Sequence, residues 1–340
     1  MAKNKGFKKA ESSDLKLDVD LQKPDKELQR TEKWKEERRG RWTGSQLKNL
    51  MTCDQGAGKM SWDNLDKVFR FGKTSLKYIY ENAKERETGR YIDQGDGTLQ
   101  MRYGTIVEPL ISKAAKKKLK KYGKMKDVGF KTFPTMPNAG VSSDKIIVNK
   151  KGKCIASVEM KACTNWQTHY ERTFDSVDEK STDFWQMQGQ MIAWEVDTCY
   201  YVVAEPPQDI MKYVFYNGDI MDLYKDFLKE CPVSIVKVPA QKLHQDALLK
   251  RICMAEQALN DWLSAGGNLK KVLDKTIEYF HENPKDLNKY ILPLGLQDAK
   301  KLTKKVLDKN PKPGEFDKIK KQIIEKHRKK IKIKNKKSKS

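Results

Sequence analysis

Asp144, Glu159 and Lys161 are the residues of this chain best placed to do chemistry. They lie in two apolar, β-prone runs, residues 141–148 and 154–161, separated by Lys151-Gly152, an X-Gly pair that predicts a hairpin turn. With Lys151 and Gly152 as a two-residue loop, Asn149 and Lys150 pair with Cys154 and Lys153, and Asp144 falls opposite Glu159. Directly opposed side chains share a face, with Cβ atoms about 5 Å apart. Strand alternation turns Lys161 the same way as Glu159 and points Met160 into the core. Two carboxylates converging at one strand end, with a lysine beside them, suit a Mg²⁺ site with a positioned nucleophilic water. A solvent-facing ion pair explains the same three residues. A carboxylate two places before a lysine also recurs at Asp14, Asp178 and Asp298, without the strand context.

More parts occur elsewhere. Glu108 precedes Pro109 and heads an apolar run. The segment from Thr105 to Glu108 fits a capping box with Pro109 in the first turn, so it predicts a helix opening at Thr105 and running into the basic residues 116–121. Residues 184–194 read as a helix, with Phe184, Gln188, Met191 and Ile192 on one stripe. An amide on a buried stripe needs partners or costs on the order of 1–3 kcal/mol. Both a polar cleft and a backbone group would supply them. Near the N-terminus Arg38 and Ser45 could grip a phosphate, the guanidinium bidentately and the hydroxyl through one further bond. A basic helix start packed on Trp34 is the plainer account, since Arg39 and Arg41 are adjacent.

In order, the parts are Trp34, Arg38, Gly40, Thr43 and Ser45; Gly104 and Glu108; Ser142 and Asp144; Glu159 and Lys161; and Gln188, Gln190 and Trp194. That order, over residues 34–263, resembles the lambda-type exonucleases, also called YqaJ-type viral recombinases, a branch of the PD-(D/E)XK nuclease superfamily. Ser143 stands where the family often has Pro, and Lys145 where Gly usually follows; both change turn geometry more than metal chemistry. The resemblance implies an α/β fold, a PD-(D/E)XK nuclease core with a mixed central sheet flanked by helices. Asp144, Glu159 and the Met160 carbonyl would hold one Mg²⁺, Glu108 would help hold a second, and Mn²⁺ would substitute. Lys161 would orient or deprotonate the attacking water, and Gln188 would brace Lys161 or that water. Arg38 and Ser45 would form a 5′-phosphate pocket. The implied reaction is 5′→3′ digestion of linear double-stranded DNA, leaving a 3′ single strand for phage-type recombination. A ring-shaped homotrimer, a single-strand annealing partner and a cytoplasmic location (the bacterial host's if the chain is phage-encoded) complete the expectation. Two competitors stay open: another nuclease of the superfamily (a site-specific endonuclease or a RecB-like domain), or a non-catalytic basic DNA-binding protein.

The whole chain agrees with a polyanionic partner. Its 340 residues carry a formal net charge of +23 with a pI near 9.5, and nucleic acid is the commonest such partner. Six scattered cysteines form no C-x-x-C pair, so neither a zinc ribbon nor a disulfide framework is expected, and they suit reduced thiols in a cytosol. Four histidines without H-E-x-x-H spacing make histidine-based hydrolysis a poor fit. No apolar run approaches a membrane span, and no apolar h-region follows the basic N-terminus, so no membrane contact is expected.

The elements that must position these residues follow from patterning. Residues 1–30 read as a disordered charged tail. Residues 31–264 read as the nuclease domain, with helices over 31–50, 61–87 and 243–263. Strands are expected at 199–204, 212–216 and 233–238, and a polar crossover at 164–180. Residues 265–340 read as a basic, Lys-rich helical C-terminal extension and tail, with a short amphipathic helix at 269–280.

Overall fold

The computed structural model describes residues 31–53, 70–92, 99–134, 136–174, 178–206 and 231–283. The expected tail at 1–30, strand at 212–216 and Lys-rich end beyond residue 283 lie outside these residues. The described part is a mixed α/β fold with two sheets and flanking helices.

The apolar run over residues 141–148 is not one strand. The chain leaves β4 (Met136–Ser142), breaks at Ser143 and Asp144, and resumes as β5 (Lys145–Val148) in a different sheet. Its side chains account for the break. Ser142 Oγ accepts from Trp34 Nε1 at 2.9 Å, and Ser143 Oγ accepts from Trp194 Nε1 at 3.0 Å. Asp144 Oδ2 accepts the Met160 amide at 2.6 Å, taking the place of a ladder bond. β4 is central in a small sheet, between β1 (Trp42–Thr43), parallel to it, and the antiparallel β3 (Phe130–Phe133).

The larger sheet runs β2-β5-β6-β7-β8. β2 (Lys124–Lys126), β5 and β6 (Cys154–Ala162) are antiparallel; β6 and β7 (Thr198–Ala204) are parallel; β8 (Val233–Pro239) closes antiparallel to β7. The β5–β6 hairpin differs from the two-residue turn expected. Val148, not Asn149, faces Cys154, and a register shift lies between Ile147 and Val148. Asn149 causes the longer loop: its Oδ1 accepts the amides of Lys151 (2.9 Å) and Lys153 (3.0 Å), while Gly152 takes φ of 76°. The irregularity absorbs the slip. Lys145 pairs with Val158, so one step outward Asp144 stands opposite Glu159, as the spacing predicts.

Alternation divides the larger sheet into two faces. Val158, Met160, Tyr200 and Val202 pack under α4 (Leu99–Leu119), which contributes Tyr103, Val107, Leu110, Ile111, Ala115 and Leu119. Thr105 does not open this helix: its Oγ1 donates to Met101 O at 2.9 Å, and Pro109 lies inside. An internal proline costs about 3 kcal/mol; the helix persists because six apolar side chains on its inner face are buried. The other face, with Cys199, Tyr201 and Val203, packs on Met187 and Met191 of α6 (Thr182–Trp194). α6 also touches the small sheet at Gly189, where a Cβ would lie 2.6 Å from Leu47 Cδ1 and 3.3 Å from Val141 Cγ1.

Residues 31–50, expected as one helix, are broken into α1 (Glu32–Arg38), β1, a single 3₁₀ turn and α2 (Leu47–Leu50). Gly40 makes the break: its φ is 66°, and a Cβ there would meet Arg86 Cγ at 2.6 Å. The crossover at 164–180 holds a helix, α5 (Trp166–Thr173), capped by Asn165 accepting the Thr168 amide at 2.7 Å. The remaining described helices are α3 (Lys73–Thr88), α7 (Lys242–Ala265) and α8 (Leu269–Glu282). Leu273, Ile277 and Phe280 of α8 share one core cluster with Leu248, Ile252 and Leu259 of α7 and with α2 and α3. The core therefore continues past residue 264, into the segment expected as extension.

Candidate active site

β6 carries Glu159 and Lys161 on the face turned toward α6, and the break between the sheets delivers Asp144 beside them. Lys161 Nζ lies 2.6 Å from Glu159 Oε1 and 3.4 Å from Asp183 Oδ1. Glu159 is 1% exposed. Burial and the neighbouring Glu159 charge push the Asp144 carboxyl well above its ordinary range, and Glu108 adds to the push. Burial likewise raises Glu159, against the pull of Lys161. Burial alone would lower Lys161, but Glu159, Asp183 and Asp144 together hold it above its usual value, as an ammonium.

Three amides of α6 divide the work differently from the sequence expectation. Gln188 does not reach Lys161. Its Nε2 donates to Pro239 O at 3.1 Å, and its Oε1 accepts from Gln241 N at 2.9 Å and Gln245 Nε2 at 3.2 Å. It pins the turn from β8 into α7, because its stripe faces that junction. Gln190, two residues on and turned by about 200° around the helix, donates Nε2 to Glu159 Oε2. Gln186 Oε1 accepts from Lys161 at 3.4 Å.

Asp183, at the start of α6, was not singled out by the sequence. Besides Lys161 it meets Arg172 Nε at 3.3 Å and accepts from Tyr201 Oη at 2.5 Å. Burial would raise its carboxyl, but Lys161 and Arg172 bring it below the ordinary value. It is i, i+2 from no carboxylate and i, i+3 from Gln186, so no local pattern marks it; only the fold brings it to Lys161.

A second polar group adjoins the first. Arg38 lies with its guanidinium carbon 4.2 Å from the centroid of the Trp34 ring. It donates to Ser142 Oγ at 3.3 Å and to Ser45 Oγ at 3.5 Å. Arg38 and Ser45 therefore stand together, and Ser142, two residues before Asp144, joins them to the carboxylates. Arg38 Nε has no hydrogen-bond partner among the described residues. Burial depresses the Arg38 pKa despite the opposing pull of Tyr91, Tyr78 and Glu85. A pocket beside it is lined by Arg38, Arg41, Tyr78, Glu85 and Tyr91 among others.

The chemistry of the donors fits a hard divalent cation: Asp144 and Glu159 offer carboxylate oxygens, and burial first of all, with neighbouring carboxylates adding to it, raises both. Glu108, half-buried on α4, is near enough to Asp144 to act on it electrostatically. Among the described residues no group of three or more His, Cys, Asp or Glu side chains is gathered tightly enough to form a ready-made ligand set. Asp144 is turned to the Met160 amide, and Glu159 to Lys161 and Gln190. None of the described helices is long and apolar enough to cross a membrane.

Comparison with known proteins agrees with the motif order. Residues 33–197 match the YqaJ-like viral recombinase domain. No curated protein matches the chain. Among solved structures, the chain is similar to LHK-Exo, an alkaline exonuclease from Laribacter hongkongensis, also solved in complex with dAMP. That similarity has 20% identity and a TM-score of 0.44, covering 76% of this chain and 100% of that one. A phage-related exonuclease from Haemophilus somnus 129PT is similar at 15% identity and a TM-score of 0.45, covering 71% of this chain and 96% of that one.

Proposed function

We propose that the YqaJ-like domain at residues 33–197, completed by the elements packed on it, is a divalent-metal-dependent deoxyribonuclease that digests linear duplex DNA from the 5′ end. The observation that carries this reading is the hydrogen bond from Arg38 to Ser142, two residues before Asp144. A cation suited to a terminal phosphate thereby adjoins two buried carboxylates suited to a metal.

Asp144, Glu159 and the Met160 carbonyl would hold the ion, with Glu108 serving a second; Mg²⁺ fits, and Mn²⁺ would substitute. A divalent cation bound there supplies a water of lowered pKa and neutralises charge on the leaving oxygen. Lys161 Nζ donates a hydrogen bond to the attacking water or the scissile phosphate. Its contacts with Glu159 and Asp183 hold the ammonium in place for this orienting role. Gln190 fixes the Glu159 carboxylate, and Asp183 fixes Lys161 from the opposite side. Arg38, Ser45 and Ser142 grip the terminal 5′-phosphate, which sets the polarity. A 3′ single strand remains, the substrate for recombination with an annealing protein, and a ring-shaped trimer would keep the duplex threaded. The location in keeping with this reading is the cytoplasm, that of the bacterial host if the chain is phage-encoded.

The test is one digestion series with Mg²⁺ or EDTA on linear duplex bearing 5′-phosphate, linear duplex bearing 5′-hydroxyl, and covalently closed circles. Mg²⁺-dependent loss of linear DNA, fastest with 5′-phosphate and absent on circles, is expected. Cutting of circles would mark an endonuclease instead, and binding without digestion would mark a non-catalytic DNA-binding protein.

A further inference from the structure

Helix α5 and its C-cap residue Phe174 leave three large rings in solvent. Trp166, Tyr170 and Phe174 are 53%, 52% and 73% exposed. They stand four residues apart, so each lies about one turn, roughly 6 Å, beyond the last along one face. Tyr170 and Phe174 stack with ring centroids 5.6 Å apart, and Trp166 meets the buried His169 edge-on at 5.5 Å. The residues between the rings are polar: Gln167, Thr168, Glu171, Arg172 and Thr173. An exposed row of this kind marks a binding surface.

The row starts next to the candidate active site. Trp166 follows Lys161 by five residues, at most about 18 Å of chain. Arg172 of α5 and Lys161 share the two oxygens of Asp183, at 3.3 and 3.4 Å, so the helix is tied to the lysine itself.

We propose that this aromatic ridge binds the bases of a single DNA strand. Rings at turn spacing offer flat π faces to unpaired bases, a sequence-tolerant contact, whereas bases in a duplex already stack on one another. The chain's charge of +23 favours a polyanion. The inference rests on the nuclease reading for one thing only, the source of an unpaired strand within reach of Lys161.

The experiment uses the full chain in EDTA, where no digestion is needed, so it can fail or succeed independently of the nuclease reading. Fluorescence anisotropy would follow a labelled oligothymidylate and a blunt duplex of equal length. The combined variant Trp166→Ala, Tyr170→Ala, Phe174→Ala should bind the single strand at least about tenfold more weakly. Duplex binding, carried by dispersed lysines, should change less than about twofold. A second combination, Trp166→Tyr, Tyr170→Phe, Phe174→Tyr, keeps the rings and should retain single-strand binding. Photocross-linking of a 4-thiothymidine strand to the unmodified chain should label α5, a readout that no folding defect can mimic. Equal losses on both DNAs, unchanged single-strand binding, or cross-links that avoid α5 would overturn the proposal. So would a wild-type oligomer that the alanine variant converts to monomer, since the ridge would then cover a second copy of the chain.

Discussion

Two buried ion pairs in this molecule have opposite characters. Arg86 and Glu256 join α3 to α7 with two parallel 2.8 Å bonds, and each side chain is 2% exposed. Every direction is filled: Arg86 Nε donates to Gly40 O at 2.7 Å, and Trp42 Nε1 and Asn260 Nδ2 donate to Glu256 at 2.9 and 3.3 Å. One cation meets one anion. Lys161 and Glu159 make a point contact instead, with the lysine partly open to solvent. Around that lysine stand Glu159, Asp183 and Asp144, and Asp183 also meets Arg172, so three carboxylates share two cations. A closed, neutral pair is scaffold. An open, anion-rich one is a place where a further cation or a reacting group can enter.

The contrast can be broken most directly at Glu159. Glu159→Ala should reduce Mg²⁺-dependent digestion to background while the melting temperature stays near that of the parent. Retained digestion in the purified variant would remove this pair from the chemistry. Glu256→Ala should do the reverse. It leaves Arg86 buried without its partner, a loss of about 3–5 kcal/mol, read as a lower urea midpoint, with digestion per folded molecule kept. A loss below about 1 kcal/mol would mean that the scaffold pair is dispensable.

Arg38→Ala should slow digestion of 5′-phosphorylated duplex about tenfold to hundredfold, the worth of a charged hydrogen bond, and erase the preference over 5′-hydroxyl ends. Equal slowing of both substrates would return Arg38 to a general basic surface. The two glutamines sharpen the comparison further. Gln188→Ala should cost about 1–3 kcal/mol of stability by stranding Pro239 O and the Gln241 amide, with turnover preserved. Gln190→Ala should lower turnover with little loss of stability, and the opposite pattern would refute the assignment.

The smallest effect concerns Asp144 without metal. Its folded pKa is raised above the unfolded value, so the stability it contributes is greatest when protonated and is lost as pH rises through the folded pKa. At neutral pH, Asp144→Asn should therefore raise the metal-free melting temperature by a few degrees, a gain that shrinks on acidification. Mg²⁺ should raise the parent's melting temperature and leave that of Asp144→Asn little changed. A variant that melts lower than the parent at every pH would show that the carboxylate is not held against repulsion.

What the sequence made legible was local. The opposition of Asp144 and Glu159 follows from strand alternation and a turn, and it survives a misjudged loop because the irregularity after Ile147 restores the count. The break at Ser143 was hidden, since the apolar run continues through it and the indoles that hold it come from Trp34 and Trp194, far along the chain. Gln188 lies on the apolar stripe that the spacing marks, yet that stripe faces the β8–α7 turn, and Gln190 meets Glu159. Asp183 joins the site only through tertiary contacts with Lys161, Arg172 and Tyr201. Thr105 and Pro109 imitate a helix start inside α4, whereas burial of its inner face carries the helix through both.

The two adjacent serines before Asp144 also act as a ruler. Ser142 takes Arg38 and Trp34, Ser143 takes Trp194, and the carboxylate comes next. Two residues of extended chain span at most about 7 Å, room for one nucleotide between a gripped terminal phosphate and the next linkage. Separate indoles hold the two hydroxyls along that span. On the proposed reading, the length of the product is written into the backbone, and each cut should release a single nucleoside monophosphate.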